Sequence, residues 1–289
     1  MSKKYSRRQF LKRTLATTST TILASTLGYL YARYYEPRLI EVSIYNITHP
    51  LIPPTFHNKK IVQFSDTHIG HHFDLEQLNR VVDKINEQKP DLVFFTGDLM
   101  DEPNKYAATN HLVPILSRIQ APLGKFAIYG NHDHGGYGSE IYKNLMKQTN
   151  FTLLMNSSID IVMNENKITV AGLDDVMLGR PDFSKTFHGI VPSTYTILLA
   201  HEPDIAERAA EMGAHLQLSG HSHGGQIQLP FFGPLITPPL GSKYYEGNHL
   251  VGNNQMQLYV NRGLGTTRLP LRFLSKPEIS VYTLQSGEL

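Results

Sequence analysis

Ile61-Val62-Gln63-Phe64-Ser65-Asp66-Thr67-His68 opens as a short apolar run and ends in a carboxylate and an imidazole two residues apart. The run reads as a buried strand, and its polar end sets the pattern to follow along the chain. Residues 92–96 form a second such run and lead into Gly97-Asp98-Leu99-Met100-Asp101. Residues 125–129 form a third and lead into Gly130-Asn131-His132-Asp133. Residues 196–200 end in His201-Glu202-Pro203-Asp204, and residues 216–218 run into Gly220-His221-Ser222-His223-Gly224-Gly225. Five strand ends in succession therefore each deliver Asp, Asn or His side chains. In α/β sheets ligands bind at the carboxyl ends of the strands, so these clusters are expected to converge.

Between the strands lie helical patterns. Residues 74–88 carry Leu75, Leu78, Val81, Val82 and Ile85 on one face, and Pro90 ends the helix. Residues 106–119 read as helical across Pro114, and residues 205–212 as a further helix. Residues 33–60 form a lead-in, strand-like over 40–47 and broken at Pro50, Pro53 and Pro54. The second half is richer in strands, with runs at 168–173, 256–260 and 279–284 besides those above. Strands alternating with helices and then mostly strands predict an α/β fold, a layered sandwich of two sheets. Residues 231–245, with Pro234, Pro238 and Pro239, make a long irregular loop of the kind that often carries function.

The 289 residues are 40% hydrophobic and 18% charged, a globular composition that excludes a disordered or multi-span membrane chain. Cysteine is absent, which excludes disulfide scaffolds, Cys-ligated zinc, iron–sulfur clusters and thiol nucleophiles. Any metal must then sit among nitrogen and oxygen ligands. Residues 1–40 hold eight Lys/Arg against Glu36 alone, a net +7, which leaves 19 basic and 24 acidic residues, or −5, for the rest. The domain proper has no basic excess for binding a nucleic-acid backbone.

Ser6-Arg7-Arg8-Gln9-Phe10-Leu11-Lys12 is a twin-arginine pattern, followed by an uncharged, Thr/Ser-rich run over 14–32. That run is too polar for a membrane span and suits the weakly hydrophobic core of a twin-arginine export signal. No Ala-x-Ala cleavage site precedes the domain, so removal and retention as an anchor both stay open. The organisation expected is a signal or anchor with lead-in over 1–40 and a single domain over 41–289. Export would place the protein at the cell wall or the outer face of the cytoplasmic membrane.

Convergent carboxylate, imidazole and amide groups suit Mn²⁺, Zn²⁺ or Fe. Pairs at i and i+2, Asp66/His68 and His221/His223, leave a strand end on one side. The glycines before Asp98, Asn131 and His221 let the backbone turn sharply and approach closely. Taken singly, Asp-x-His reads as a turn, Gly-Asp-x-x-Asp as a capped helix start and Gly-Asn-His-Asp as a hairpin turn. The ordered set of five is what carries the metal reading.

That set, Asp-x-His, Gly-Asp-x-x-Asp, Gly-Asn-His-Asp, His and Gly-His-x-His over residues 61–226, resembles the calcineurin-like metallophosphoesterases. The twin-arginine start, His-Gly-Gly-Gln-Ile-Gln-Leu-Pro (223–230) and Asn-Arg-Gly-Leu-Gly (261–265) resemble its exported, cell-wall-associated branch in Gram-positive bacteria. The resemblance implies a four-layer α/β/β/α sandwich of two mixed sheets and two divalent metal ions. Asp66, His68 and His223 would hold the first ion, and Asn131, His201 and His221 the second, with Asp98 bridging. It further implies hydrolysis of a phosphate ester by a metal-bridged hydroxide, with His132 as the catalytic residue beside the metals. Asp101 and Asp133 are expected to orient ligands or His132.

Other residues leave two readings each. His71, His72 and His134 either line the mouth of the site or are solvated loop histidines. Arg262, Arg268 and Arg272 either clamp a second phosphate or a wall polymer, or make structural pairs. Phe231-Phe232 and Tyr244-Tyr245 either line an apolar groove or pack in the core. The substrate is expected to be a phosphoester, with a glycolipid pyrophosphate as the alternative. A wall-binding protein with a structural metal is the reading from another class. The expected partners are the twin-arginine machinery and a wall polymer or membrane surface, and the expected state is a monomer.

Overall fold

Side-chain alternation along the strands sorts the chain into layers. The structure is a computed structural model that describes residues 6–135 and 138–287; Lys3 and Lys4 of the basic cluster lie outside the described residues. One six-stranded sheet contains β1 (Glu41–His49), β2 (Lys60–Phe64), β3 (Leu92–Phe95), β4 (Gly124–Ala127), β5 (Thr152–Leu153) and β14 (Glu278–Ser286). Its strand order is β1-β14-β2-β3-β4-β5, parallel throughout except where β14 meets β2. The other contains β6 (Ser157–Met163), β7 (Asn166–Gly172), β8 (Thr196–Leu199), β9 (Leu216–Ser219), β12 (Gly247–Val251) and β13 (Met256–Val260). Its order is β12-β13-β9-β8-β7-β6, antiparallel only at the two outer pairs. A small hairpin pairs β10 (Gln228–Leu229) with β11 (Gly233–Pro234).

In β2 and β3 alternate residues face opposite ways, as a pleated strand requires. Ile61, Leu92 and Phe94 pack between the sheets with Ile197, Leu199, Leu216 and Leu218. Val62, Phe64, Val93 and Phe95 face outward instead, under α2 (Leu75–Glu87), α3 (Leu112–Leu116) and α5 (Ser139–Gln148). On the far side α6 (Phe183–Thr186) and α7 (Ala206–Glu211) cover Ala171, Leu198, Leu258 and Val260. Three apolar seams thus separate four layers, α/β/β/α, with both sheets mixed. Asp74 caps α2 through a reciprocal pair with Gln77, and Leu78, Val81, Val82 and Ile85 are buried beneath it. Burial of each contributes about 1.5–3 kcal/mol.

The helix expected over 106–119 shrinks to a 3₁₀ turn at Thr109–His111 and α3. Proline has no N–H and clashes with the preceding turn, so the helix starts late enough to leave Pro114 in its first turn. At the other end α1 (Arg7–Leu30) is capped by Ser6 and Gln9 and buries no residue. Among the described residues no helix is long and apolar enough to cross a membrane. Packing on the body begins just beyond it, where the Arg272 N–H donates to the Ala32 carbonyl and the Ser275 N–H to the buried Glu36 carboxylate.

Candidate metal centre

A polar side chain stands in the seam between the sheets, directly under the strand ends. Gln63 is fully buried and donates to Thr96 Oγ1 and to the Ser219 carbonyl, both at 3.0 Å, while accepting from Tyr282 Oη. It ties β2 and the end of β3 to the end of β9, so the carboxyl ends of strands from both sheets are fixed side by side. From β2 emerge Asp66 and His68, and from β3 Asp98. Asn131 and His132 follow β4 in the short helix α4 (Asn131–His134), His201 follows β8, and His221 and His223 follow β9. All eight residues expected at the site are brought together.

The acceptor atoms converge. His68 Nε2 lies 3.1 Å from His223 Nε2 and 3.5 Å from Asp98 Oδ2. Asp66 Oδ1 is 3.5 Å from His223 Nε2, and His201 Nε2 is 3.2 Å from Asp98 Oδ2. Three groups have the spacing of metal ligands: Asp66, His68 and His223; Asp66, Asp98 and His201; and His68, Asp98 and His132. His221 stands beside them, its ring 5.0 Å from that of His201. Asn131 Oδ1 and His201 Nε2 are buried without a hydrogen-bond partner.

The opposite edges of the rings explain which atoms face inward. His68 Nδ1 lies 3.2 Å from the Asp101 carboxylate, and His201 Nδ1–H donates to the Thr96 carbonyl at 2.7 Å. His221 Nε2–H donates to the Pro239 carbonyl, and His132 Nδ1–H to the Asp101 carbonyl, each at 2.8 Å. Such outer bonds fix the tautomer and turn a lone pair toward the centre. A buried set of imidazole lone pairs and carboxylates turned toward one another fits a cation.

The electrostatics lead to the same conclusion. Burial raises the Asp66 pKa above the carboxylate range, and burial followed by His68 holds His223 well below the usual histidine value. Burial pushes His221 down to about 4. Burial opposes ionisation of Asp98 as well, yet His201, then His132, keep its carboxyl well below the ordinary range. Burial alone would lower His132; the Asp98 carboxylate and the bond to Asp101 outweigh it and raise its pKa. Asp133 does not touch His132's ring. It accepts the N–H groups of Asp98, Leu99 and Gly130 at 2.8, 3.1 and 2.9 Å, so it orients the two ligand loops through their backbones.

The backbone is forced as well. Asp66, His68, Asp98, His221 and His223 all have positive φ, between 44° and 69°. Non-glycine residues rarely adopt this region, and such strain concentrates at functional sites. Gly97 has φ 97°, as a turning glycine should. Gly130, by contrast, has φ −105° and is needed for closeness: a Cβ there would lie 2.3 Å from Asp98 Oδ1.

The centre opens into a cleft of about 300 Å³ whose walls include Met177, Ile227, Leu235, Ile236 and Leu269. Arg268 stands at its mouth with no ion pair among the described residues and lies at the middle of a γ-turn closed by the Leu269 N–H and the Thr267 carbonyl. The buried Gln226 clamps that turn, accepting from the Thr267 N–H and donating to the Leu269 carbonyl. Arg262 is engaged elsewhere, with Glu41, Glu278 and Glu246. Arg272 is fully buried and donates to the carbonyls of Arg262, Gly265 and Ser275. Of the three arginines only Arg268 faces the cleft.

His134 bonds Asp174 at 2.8 Å and stacks on Tyr129, a structural position, while His71 approaches Asp101 and His72 lies 3.4 Å from Arg33. Tyr244 is half-buried beside α7 through Glu207. Phe231 and Phe232 neither line the groove nor pack in the core; they are fully exposed at the tip of the β10–β11 hairpin. The carbonyls of Thr96 and Pro239 and the side chain of Gln226 are the parts of the site that the sequence did not announce.

Residues 59–225 match the family model for calcineurin-like phosphoesterases. The chain is 51% identical over 285 residues to the uncharacterized metallophosphoesterase YkuE of Bacillus subtilis, covering 98% of this chain and 99% of that one. It is 31% identical to the UDP-2,3-diacylglucosamine pyrophosphatase LpxG of Chlamydia trachomatis, covering 90% and 94%. With its Asp/His centre and these relatives, the chain belongs to the calcineurin-like phosphoesterase family and is a metal-dependent phosphoester hydrolase.

Proposed function

We propose that the protein is exported by the twin-arginine route and hydrolyses a phosphate ester with two divalent ions, Mn²⁺, Zn²⁺ or Fe, at its centre. The observation that carries the reading is the convergence of partnerless acceptors, Asn131 Oδ1 and His201 Nε2 among them, in a strained and buried frame. Asp66, His68 and His223 would hold one ion, and Asn131, His201 and His221 the other, with Asp98 available to both. Bound there, divalent ions supply positive charge to phosphoryl oxygens and lower the pKa of water. The chain's own residues do the rest. His132, its Nδ1–H fixed on the Asp101 carbonyl, offers Nε2 to the leaving oxygen and delivers a proton to it. The arginine pair in Ser6–Lys12 supports export.

A second reading takes the scissile group as a lipid-linked pyrophosphate. It is supported by the apolar walls of the cleft, by Arg268 among its lining residues as a cation for a second phosphate, and by the activity of the Chlamydia relative. The test is hydrolysis by the full chain, stripped of metal and reloaded with Mn²⁺ or Zn²⁺, of an aryl phosphomonoester, an aryl phosphodiester and a lipid-linked pyrophosphate. Metal-restored turnover that His132→Ala abolishes supports the first reading; preference for the pyrophosphate supports the second. Two ions bound per chain with no turnover on any of the three would leave a wall-binding protein with a structural metal site.

A further inference from the structure

From Gly224 to Ser242 the chain has no Asp, Glu, Lys or Arg. This is the segment that leaves the Gly-His-x-His cluster, forms the β10–β11 hairpin and returns along the cleft. A charge-free surface segment of that length in a globular protein is unusual, and its apolar side chains are not hidden. Phe231 and Phe232 at the tip are 105% and 86% exposed, and Ile236 is 73% exposed. Leu229 and Leu235 are exposed as well.

The patch extends to neighbouring elements. The Phe273 N–H donates to the Gln226 carbonyl and the Gln228 N–H to the Phe273 carbonyl, which sets Leu274, half exposed, beside the hairpin. Tyr31 packs edge-on against Phe273, so the π-helical turn Tyr31–Tyr35 that follows α1, with Tyr34 and Tyr35 exposed, flanks the same segment. Leu269 and Arg268, which has no ion pair among the described residues, complete the rim of the cleft. Contiguous exposed apolar surface of this kind marks an interaction site. A protein partner is usually met with hydrogen-bonding groups as well as apolar ones, and the hairpin tip presents none from its side chains. Exposed aromatic and aliphatic side chains, no carboxylate and an arginine at the edge match the interfacial region of a lipid bilayer.

We infer that the β10–β11 hairpin inserts Phe231 and Phe232 into a lipid surface and so sets the mouth of the cleft against the membrane. The inference stands on the exposed patch and holds whichever phosphoester the centre cleaves. The base of the inserted loop is tied to the centre, because the Pro239 carbonyl accepts from His221.

The chain contains no tryptophan, so one introduced indole reports its own surroundings without background. Phe232→Trp in the full chain is mixed with vesicles of phosphatidylcholine and of phosphatidylcholine with phosphatidylglycerol, with and without brominated acyl chains. Glu87→Trp, at the end of α2 away from the strand ends that carry the site, is the control. The expected result is a blue shift and bromine quenching for Phe232→Trp and neither for Glu87→Trp. Replacing both rings, Phe231→Ser with Phe232→Ser, is expected to weaken vesicle binding about tenfold or more while turnover of a water-soluble aryl phosphate is kept. Water-like emission of Phe232→Trp with both lipid compositions would overturn the inference, even where α1 alone held the chain on the vesicle. A blue shift without vesicles that grows with protein concentration would overturn it in favour of a second copy of the chain.

Discussion

Gly130→Ala tests whether closeness of approach, rather than backbone freedom, is what the loop before Asn131 requires. At φ −105° and ψ 176° an alanine is at ease, so the substitution has no intrinsic conformational penalty. Its Cβ would nevertheless lie 2.3 Å from Asp98 Oδ1, 2.8 Å from the Asp98 carboxyl carbon and 2.8 Å from the Asp98 amide nitrogen. Relief requires one loop to move about 1 Å, and neither is free, because Asp133 ties the Gly130 and Asp98 amides together. Overpacking of this kind costs about 1–3 kcal/mol. A displacement near 1 Å of a positioning group costs about 10²-fold in rate. Metal content per chain, thermal unfolding and turnover should therefore all fall together. Gly135→Ala, where a Cβ meets nothing within 4 Å among the described residues, serves as the neutral comparison. A Gly130→Ala protein with full metal content, native stability and native turnover would refute the argument that crowding of the Asp98 carboxylate shapes the centre.

Stripping the metal should lower the unfolding temperature, since the buried acceptors lose a counter-charge; ions at about 1,000 times their Kd add about 4 kcal/mol, and a midpoint indifferent to chelator would contradict the fit. His132→Ala should keep its metal and lose about 10²–10⁴ in turnover, measured by metal analysis beside kinetics on an aryl phosphate. Arg268→Ala should raise KM about tenfold for a pyrophosphate substrate and leave an aryl monoester unchanged; equal effects on both would remove the second-phosphate role. His215, far from the centre, accepts the Thr196 N–H at Nδ1, and burial, then His49, lowers its pKa to about 4. The unfolded chain binds the extra proton from about pH 6.5 downward, so stability is complete above that value and lost as pH falls toward 4. Allowing for partial exposure the loss is about 2 kcal/mol, and urea titrations of His215→Asn, which keeps an acceptor, should show a flatter acid limb.

The layers were readable where a strand is central and its periodicity intact. Residues 61–64, 92–96 and 196–200 lie within an element or one residue beyond it, because both faces of those strands are buried and their apolar runs are unbroken. Edge strands left weaker traces. β6 exposes Ile159 and Val162, and β12 reads Gly-Asn-His-Leu-Val, so neither presents the alternation of a half-buried strand. The candidate ligands were legible as clusters because each is local, one or two side chains directly after a strand. What orients them was not: the carbonyls of Thr96, Asp101 and Pro239 are backbone atoms that any residue type would supply. The exposure of Phe231 and Phe232 was equally invisible, since composition does not distinguish an aromatic pair under a sheet from one at a hairpin tip.

The strain at the centre and the glycines around it have a common origin. Loops from two sheets converge within a few ångströms, and Asp66 accepts the His221 N–H on both oxygens across the gap between them. A loop end that must present a side chain inward while its backbone passes a neighbour so closely has few conformations open to it. Positive φ at Asp66, His68, Asp98, His221 and His223 is the result. Each such residue costs about 1–3 kcal/mol, and the fold offsets it through bonds that lie one step outside the centre: Gln63 between the sheets, Asp133 under two loops and Arg272 beneath a third. These bonds are made among the protein's own groups, behind the donors that face the centre. Metal affinity then depends on residues that never touch the metal, and substitutions at Gln63 or Asp133 should weaken it with the entire donor set intact.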